Sequence, residues 1–314
     1  MEYFLFIIGF VILIGGATLL IEGAASIGHK LGIPAGITGL TIVALGTSLP
    51  ELIINVFASA GGSTDLAISN VLGSNIINIL VILGFTAIIS PIPVSKHTYF
   101  RDIPFSLFAT IFLLIIVSDT WLPGRAENFV GRIDGILLLL MMAAFLFIYY
   151  RNSKNNSEEP STARLLPMWK AISYITAGIA GLYFGGRWIV DGAVFLAGRI
   201  GMDEATIGLT IIAMGTSLPE LVTSLIASVR GNPELAIGNA VGSCIFNILL
   251  VLGTSALIKP LPFHPGSMLD LIVAILATVS MVIFVYTGGG RKISRFEGIL
   301  MLGMYGVYLW WILV

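Results

Sequence analysis

Two stretches of the chain decide its fold: Gly39-Leu-Thr-Ile-Val-Ala-Leu-Gly-Thr-Ser-Leu-Pro-Glu51 and Gly208-Leu-Thr-Ile-Ile-Ala-Met-Gly-Thr-Ser-Leu-Pro-Glu220. The second repeats the first at an offset of 169 residues (from 51 to 220), with two conservative changes. The same offset aligns residues 66–80 with residues 235–249 without a gap. Self-similarity of this length predicts two structurally equivalent halves.

The composition predicts that the whole chain lies in a membrane. Hydrophobic residues make up 57% of the sequence and charged residues 11%, and the mean hydropathy is +1.00. A soluble domain has roughly 25% charged residues. A spanning helix needs about 20 apolar residues. We place ten such spans, at residues 3–27, 35–60, 66–90, 103–119, 131–150, 169–197, 204–229, 234–258, 268–286 and 296–313.

The repeat and the spans together predict the architecture. Residues 1–150 and 169–314 each contain five predicted spans, and residues 151–168 form a polar linker between them. Because five is odd, the second copy enters the membrane in the opposite orientation to the first. The sequence therefore predicts an all-α membrane protein with ten transmembrane helices in two inverted-topology five-helix repeats. Inverted repeats are typical of secondary transporters, whose substrate binds near the midplane.

The distribution of charge predicts the orientation. Of the 16 Lys and Arg residues, 11 fall on the side of the linker if the N-terminus is outside. Since basic residues favour cytoplasmic loops, we expect a cytoplasmic linker and two extracellular termini in a multi-pass protein of the cell membrane. The net charge of -1 offers no basic stripe for nucleic acid. Nothing in the sequence indicates a protein partner, and the expected surroundings are the lipid bilayer.

Proline residues predict a break in the second and seventh spans. Pro50 has no N–H to offer the carbonyl of Gly46, and Pro219 stands in the same relation to Gly215. Carbonyls freed at membrane depth are tolerated only where protein, water or a cation satisfies them. We therefore expect broken core helices with oxygen atoms exposed at each break.

Oxygen-bearing side chains surround the predicted breaks in both copies. The hydroxyls of the first copy precede Glu51 by one helical turn, and a stripe recurring every four residues follows in the third span. These residues are Thr47, Ser48, Glu51, Asn70, Ser74 and Asn78, repeated as Thr216, Ser217, Glu220, Asn239, Ser243 and Asn247. Carboxylate, amide and hydroxyl oxygens suit hard cations such as calcium and sodium. A carboxylate in mid-bilayer costs at least about 2.5 kcal/mol, and such residues usually mark an ion pathway.

These motifs resemble the two alpha-repeats of the cation/calcium exchanger superfamily, and most closely the sodium/calcium exchangers of prokaryotes. The resemblance implies that calcium binds to Glu51, Glu220 and the carbonyls of Thr47 and Thr216. It places sodium at flanking sites and leaves two asparagines at central positions. The residues implied are Ala44, Ser48, Ser74 and Asn78 in the first repeat and Ala213, Ser217, Ser243 and Asn247 in the second.

The resemblance also implies a mechanism. Sodium moving down its gradient expels calcium, while the first and sixth helices move across a rigid core. The protein would be a transporter and not an enzyme, with no cofactor beyond the transported ions. Exchange of three sodium ions for one calcium would be electrogenic. Several relatives have Asp at the position of Asn247, and the neutral residue argues against coupling to potassium.

Three other functions remain compatible with the residues. A calcium/proton antiporter would protonate the same carboxylates, although the duplicated Ser48 and Ser217 argue mildly against it. A cation channel would use the two glutamates as a selectivity ring. An intramembrane hydrolase would need a base near Ser48 or Ser217, and the nearby predicted spans contain no histidine. Glu22 and Asp191 are also duplicated, and at span ends a solvated and a gating carboxylate are equally compatible with the sequence.

Overall fold

The computed structural model describes residues 2–118, 128–153, 165–199, 213–287 and 290–313. Helices occur at every one of the ten predicted segments. In the first half they are α1 (Glu2–Leu31), α2 (Ala35–Thr38), α3 (Ala44–Thr47), α4 (Leu49–Gly61), α5 (Thr64–Ile76), α6 (Gly84–Ile89), α7 (Ile103–Val117) and α8 (Arg132–Ser153). In the second half they are α9 (Met168–Arg199), α10 (Ala213–Gly215), α11 (Leu218–Val229), α12 (Pro233–Phe246), α13 (Gly253–Ile258), α14 (Pro265–Thr287) and α15 (Arg295–Leu313).

Several helices are long and apolar enough to cross a membrane. Seven of those described pass this test, and an eighth is added if the bent pair Ala35–Thr47 and Leu49–Gly61 is one span. The chain is therefore a helical membrane protein with multiple spans. The seventh predicted segment is described only from residue 213 onward, and the part of the linker between residues 154 and 164 also lies outside the described residues.

The core helices break where the prolines predict. Helix α3 ends at Thr47, Ser48 adopts φ −85° and ψ 3°, and α4 begins at Leu49 with Pro50 in its first turn. The axis bends by 43° at this point. In the second copy Ser217 adopts φ −89° and ψ 3° before α11. A proline in the first turn loses no hydrogen bond, because that N–H has no partner within the helix. We call α2 to α4 the first broken helix and α10 to α11 the second.

Wide π-helical turns interrupt other spans, which the sequence did not predict. They cover Gly39–Val43 in the first broken helix, Ile77–Leu83 between α5 and α6, Thr98–Asp102 before α7, and Asn247–Leu252 between α12 and α13. The second and the last are repeat equivalents, and they begin at or next to the predicted ligands Asn78 and Asn247. A π turn adds a residue to the helical turn and is frequent at functional sites.

Four two-residue strands link the halves symmetrically. Strand β1 (Ile92–Pro93) pairs with β4 (Lys292–Ile293), and β2 (Phe129–Val130) pairs with β3 (Leu261–Pro262), both antiparallel. The repeat offset relates β1 to β3. Each half therefore contributes one strand to each pair. Such an exchange is expected of two copies related by a pseudo-two-fold axis.

The two halves meet at a central pair of helical spans. The apolar windows of Thr64–Ile89 and Pro233–Ile258 are each 78% buried, against 28% to 39% for the other five spans that pass the membrane test. The outer helices α1 and α9 pack against each other through glycines. A Cβ atom at Gly16 would lie 2.7 Å from the Leu182 nitrogen, so only glycine permits this backbone contact.

Candidate cation site between the repeats

Each predicted carboxylate lies in the first turn of a helix that restarts after a break. Glu51 follows the start of α4 and Glu220 follows the start of α11. Both residues are 1% exposed. The first turn of a helix carries unpaired N–H groups and a partial positive charge, which stabilises a carboxylate there. The Leu-Pro-Glu sequence thus places an acid at the N-terminus of a helix deep in the protein.

The fold brings the two carboxylates together. Glu51 and Glu220 are close enough to interact electrostatically. The Ser48 hydroxyl, at the break in the first repeat, donates a hydrogen bond of 3.2 Å to Glu220 Oε1 in the second. The two breaks therefore face each other across the repeat boundary.

Several buried oxygens of the predicted site lack a hydrogen-bond partner among the described residues. They are both carboxylate oxygens of Glu51, Oε2 of Glu220, the hydroxyls of Ser74 and Ser217, and Oδ1 of Asn78 and of Asn247. A buried polar atom without a partner costs roughly 1 to 3 kcal/mol, so such a cluster is unfavourable unless something binds to it. A dehydrated cation would provide the missing interactions to the oxygens.

Two asparagines have a different role from the one that the sequence suggested. We expected Asn70 and Asn239 to offer free oxygens, like the others in their stripe. Instead Asn239 Oδ1 accepts a hydrogen bond of 3.1 Å from Thr47, and Asn70 Oδ1 accepts one of 3.4 Å from Thr216. Their oxygens are occupied because each lies opposite the threonine of the other repeat. They hold the broken helices in place.

Residues that sequence reasoning missed anchor these asparagines. Asn70 Nδ2 donates to Asn55 Oδ1 at 2.8 Å, and Asn239 Nδ2 donates to the Ser224 hydroxyl at 3.0 Å. Asn55 and Ser224 are repeat equivalents, and both also donate to a backbone carbonyl of the next helix. The signal that could have found them is a polar residue in an apolar span at the repeat offset.

The remaining predicted residues lie in the same region. Ser243 is fully buried, and its hydroxyl lies 3.5 Å from that of Thr47. Ala44 is also fully buried and begins α3, and its repeat equivalent Ala213 begins α10. All twelve predicted positions therefore lie at the two breaks or on the central spans that face them.

A cavity of about 310 Å³ reaches the breaks from one side. Pro50, Pro219 and Thr216 line it together with the face of α9 that carries Arg187 and Asp191. These two side chains form a pair of 3.7 Å within α9, and both are more than half exposed.

The duplicated acid Glu22 has different surroundings from Asp191. Arg230, just after α11, contacts Glu22 in α1 at 2.9 Å and the Thr18 hydroxyl at 3.3 Å. Asp191 thus lines the cavity, whereas its repeat equivalent Glu22 joins α1 to Arg230 at the end of α11. The two ends of the site are not alike, although their sequences are related by the repeat.

Taken together, duplicated broken helices, two buried acids and unpartnered oxygens are typical of a membrane transporter of hard cations. The family model described as sodium/calcium exchanger protein matches residues 1–151 and 170–314. The chain therefore belongs to the sodium/calcium exchanger protein family, and the resemblance that the motifs carry is confirmed.

Individual relatives agree along almost the whole length. The chain is 38% identical over 302 residues to a putative antiporter, CaxA, of Alkalimonas amylolytica, covering 94% of this chain and 93% of that protein. It is 33% identical over 314 residues to the inner membrane protein YrbG of Escherichia coli, covering 97% and 94%. A solved structure of the sodium-calcium exchanger NCX_Mj superposes with a TM-score of 0.82 at 30% identity, covering 98% and 97%.

Proposed function

We propose that the chain is a secondary active antiporter that exchanges sodium for calcium across the cell membrane by alternating access. The observation that carries the proposal is the pair Glu51 and Glu220, buried together with unpartnered oxygens around them. Family membership and the likeness to NCX_Mj, named a sodium-calcium exchanger, support the choice of these two cations.

The proposed calcium ligands are Glu51, Glu220 and the carbonyls of Thr47 and Thr216. Two carboxylates balance the charge of one calcium ion or of two sodium ions. The proposed flanking sodium ligands are neutral, namely Ala44, Ser48, Ser74 and Asn78 in the first repeat and Ala213, Ser217, Ser243 and Asn247 in the second. The unpartnered hydroxyls of Ser74 and Ser217 and the amide oxygens of Asn78 and Asn247 support this assignment.

The proposed topology has ten spans in two inverted repeats, residues 1–150 and 169–314, with residues 151–168 as a cytoplasmic linker. The crossed pairing of β1 with β4 and of β2 with β3 supports inverted copies. In this topology both termini are extracellular, and the cavity beside Asp191 opens to the outside. Arg230 and Glu22 then lie on the cytoplasmic side, and the proposed state is outward-facing.

Transport in liposomes tests the function directly. We expect purified protein in sodium-loaded liposomes to take up radioactive calcium when the outside is free of sodium, and equal sodium on both sides to stop uptake. Exchange of three sodium ions for one calcium moves one net charge, which contributes about 2.3 kcal/mol per 100 mV. Because three positive charges leave for every two that enter, an inside-positive potential, set with potassium and valinomycin, should speed this uptake.

The controls separate the rival functions. Uptake that a proton gradient drives without sodium would establish a calcium/proton antiporter instead. Calcium entering down its own gradient, with no dependence on a sodium or a proton gradient, would favour a channel. A dependence on potassium at zero potential would contradict the argument from the neutral Asn247.

Arg230→Gln should weaken the cytoplasmic closure, because it removes the contact with Glu22. Both side chains are over 40% exposed, and such pairs contribute about 1 kcal/mol or less. We therefore expect hydrogen exchange at the C-terminal end of α1 to rise by at most about five-fold. The matched control is Arg187→Gln, which breaks the pair within α9 and should leave α1 unchanged. Equal exchange in wild type and Arg230→Gln would contradict a closing role for this contact.

A further inference from the structure

Asn75 is a buried residue at the boundary of the two repeats, and both the nitrogen and the oxygen of its side-chain amide form hydrogen bonds. It lies near the end of α5 and is 2% exposed. Its Nδ2 donates a hydrogen bond of 3.2 Å to the backbone carbonyl of Cys244, and its Oδ1 accepts one of 3.1 Å from Nδ2 of Asn247. Asn75 was not among the residues that the sequence singled out.

The chain of bonds fixes which way the Asn247 amide faces. A backbone carbonyl can only accept, so the Asn75 atom that points at Cys244 must be the nitrogen. The Asn75 oxygen then faces Asn247, which must present its own nitrogen. The Asn247 oxygen is left pointing the other way, and it has no partner among the described residues.

An amide that could rotate would be a poor cation ligand. Its oxygen carries a partial negative charge and its NH2 group a partial positive charge. If the amide turned over, the NH2 group would face the cation and repel it. A carboxylate has no such difference, because its two oxygens are equivalent. A neutral asparagine in a cation site therefore needs a neighbour that determines its orientation.

The first repeat does not contain an equivalent arrangement. The repeat offset relates Asn75 to Cys244 and Asn247 to Asn78. Cys244 packs its sulfur 3.8 Å from the Asn75 carbonyl, and a thiol is a weak donor and acceptor. The Asn78 amide has only a weak interaction with this thiol, and its Oδ1 has no hydrogen-bond partner in the described part of the chain. Asn75 thus orients the asparagine of one repeat only.

We propose that Asn75 is a positioning residue that makes Asn247 an oxygen ligand for the transported cations. The inference rests on the proposed site, in which Asn247 contacts the ions and Asn75 acts only through it. A neutral side chain can then occupy this position, because Asn75 keeps the Asn247 oxygen turned toward the cations. The Asn75 amide is an orienting group that a carboxylate at position 247 would not need.

The test is a double-mutant cycle on the full chain, with calcium and sodium Kd measured by titration calorimetry and KM measured in liposomes. Asn75→Leu should weaken cation binding about ten-fold, the lower end for residues that orient metal ligands. Because KM does not depend on the fraction of protein that folds, a lower yield does not obscure the result. Asn75→Cys, which places at 75 the residue type found at 244, serves if the leucine variant does not fold.

The distinguishing arm repeats these substitutions in an Asn247→Asp background. There the loss caused by Asn75→Leu should fall to less than about two-fold, since either carboxylate oxygen can face the ion. An equal loss in both backgrounds would show that Asn75 only supports packing, and no loss in either would also overturn the inference. Asn247→Ala tests the proposed site itself. If it leaves both Kd values unchanged, the proposed site itself is wrong at this position.

Discussion

Glu51→Gln and Glu220→Gln should each abolish sodium-driven calcium uptake. Each substitution removes one of the two negative charges that the site offers to a divalent ion. Unit charges 4 Å apart interact by about 4 kcal/mol at an effective dielectric of about 20, so we expect calcium binding to fall by a factor of a hundred or more. The measurement is calcium uptake in liposomes together with the calcium Kd of the purified protein.

The same variants should fold normally in the absence of ions. The two carboxylates repel each other when no cation is present, and no side chain among the described residues donates a hydrogen bond to Glu51. Removing one charge should therefore leave the melting temperature of the ion-free protein unchanged or raise it. Calcium should raise the melting temperature of wild type and not of the variants.

Two further variants test the same site. Asp65→Asn removes an exposed acid at the start of α5 that pairs with His264 at 3.2 Å, and it should leave transport unchanged. The double variant Glu51→Gln, Glu220→Gln should be inert to calcium. If it still exchanges calcium for sodium, the assignment of the site to these residues is wrong.

Gly242→Val should disrupt the packing of the first broken helix against α12. A Cβ atom at Gly242 would lie 2.4 Å from the carbonyl oxygen of Leu40 and 2.7 Å from Cβ of Ala44. These distances are too short for any side chain, so the backbones must separate. Overpacking of this kind costs about 1 to 3 kcal/mol or more. We expect a lower melting temperature, less monodisperse protein after size-exclusion chromatography, and loss of uptake.

The control for this prediction is Gly303→Val in α15. No described atom lies within 4 Å of a Cβ at Gly303, so the same change of residue should alter neither the melting temperature nor uptake by a comparable amount. A Gly242→Val protein as stable and active as wild type would mean that α12 and the first broken helix can move apart without loss.

The repeat made a large part of this structure predictable. Its two copies of the Gly-Thr-Ser-Leu-Pro-Glu motif predicted both helix breaks, because proline cannot donate within a helix wherever the chain folds. Hydropathy predicted helices at all ten segments for a similarly local reason, since a backbone in lipid must satisfy its own hydrogen bonds. The buried positions of Glu51 and Glu220 followed from the same two properties.

Other features depended on neighbours that the sequence does not identify. The sequence treated Asn70 and Asn78 alike, as members of one stripe. In the folded protein the Asn70 oxygen accepts a hydrogen bond from Thr216 and its nitrogen donates one to Asn55. The Asn78 oxygen has no hydrogen-bond partner among the described residues. Spacing along a helix determines which face a side chain shares, but only the opposite helix determines whether its oxygen is free.

The sequence by itself determined the duplication, the membrane setting, the breaks at Pro50 and Pro219 and the oxygen-rich character of the site. These follow from the covalent structure of each residue and from periodicity along the chain. Only the tertiary structure decided how the two halves differ. Ser48 bonds to Glu220, while the hydroxyl of its counterpart Ser217 has no partner among the described residues. Two copies with nearly the same sequence acquire different contacts because each packs against the other copy, and the residues that face each other across that boundary are not identical.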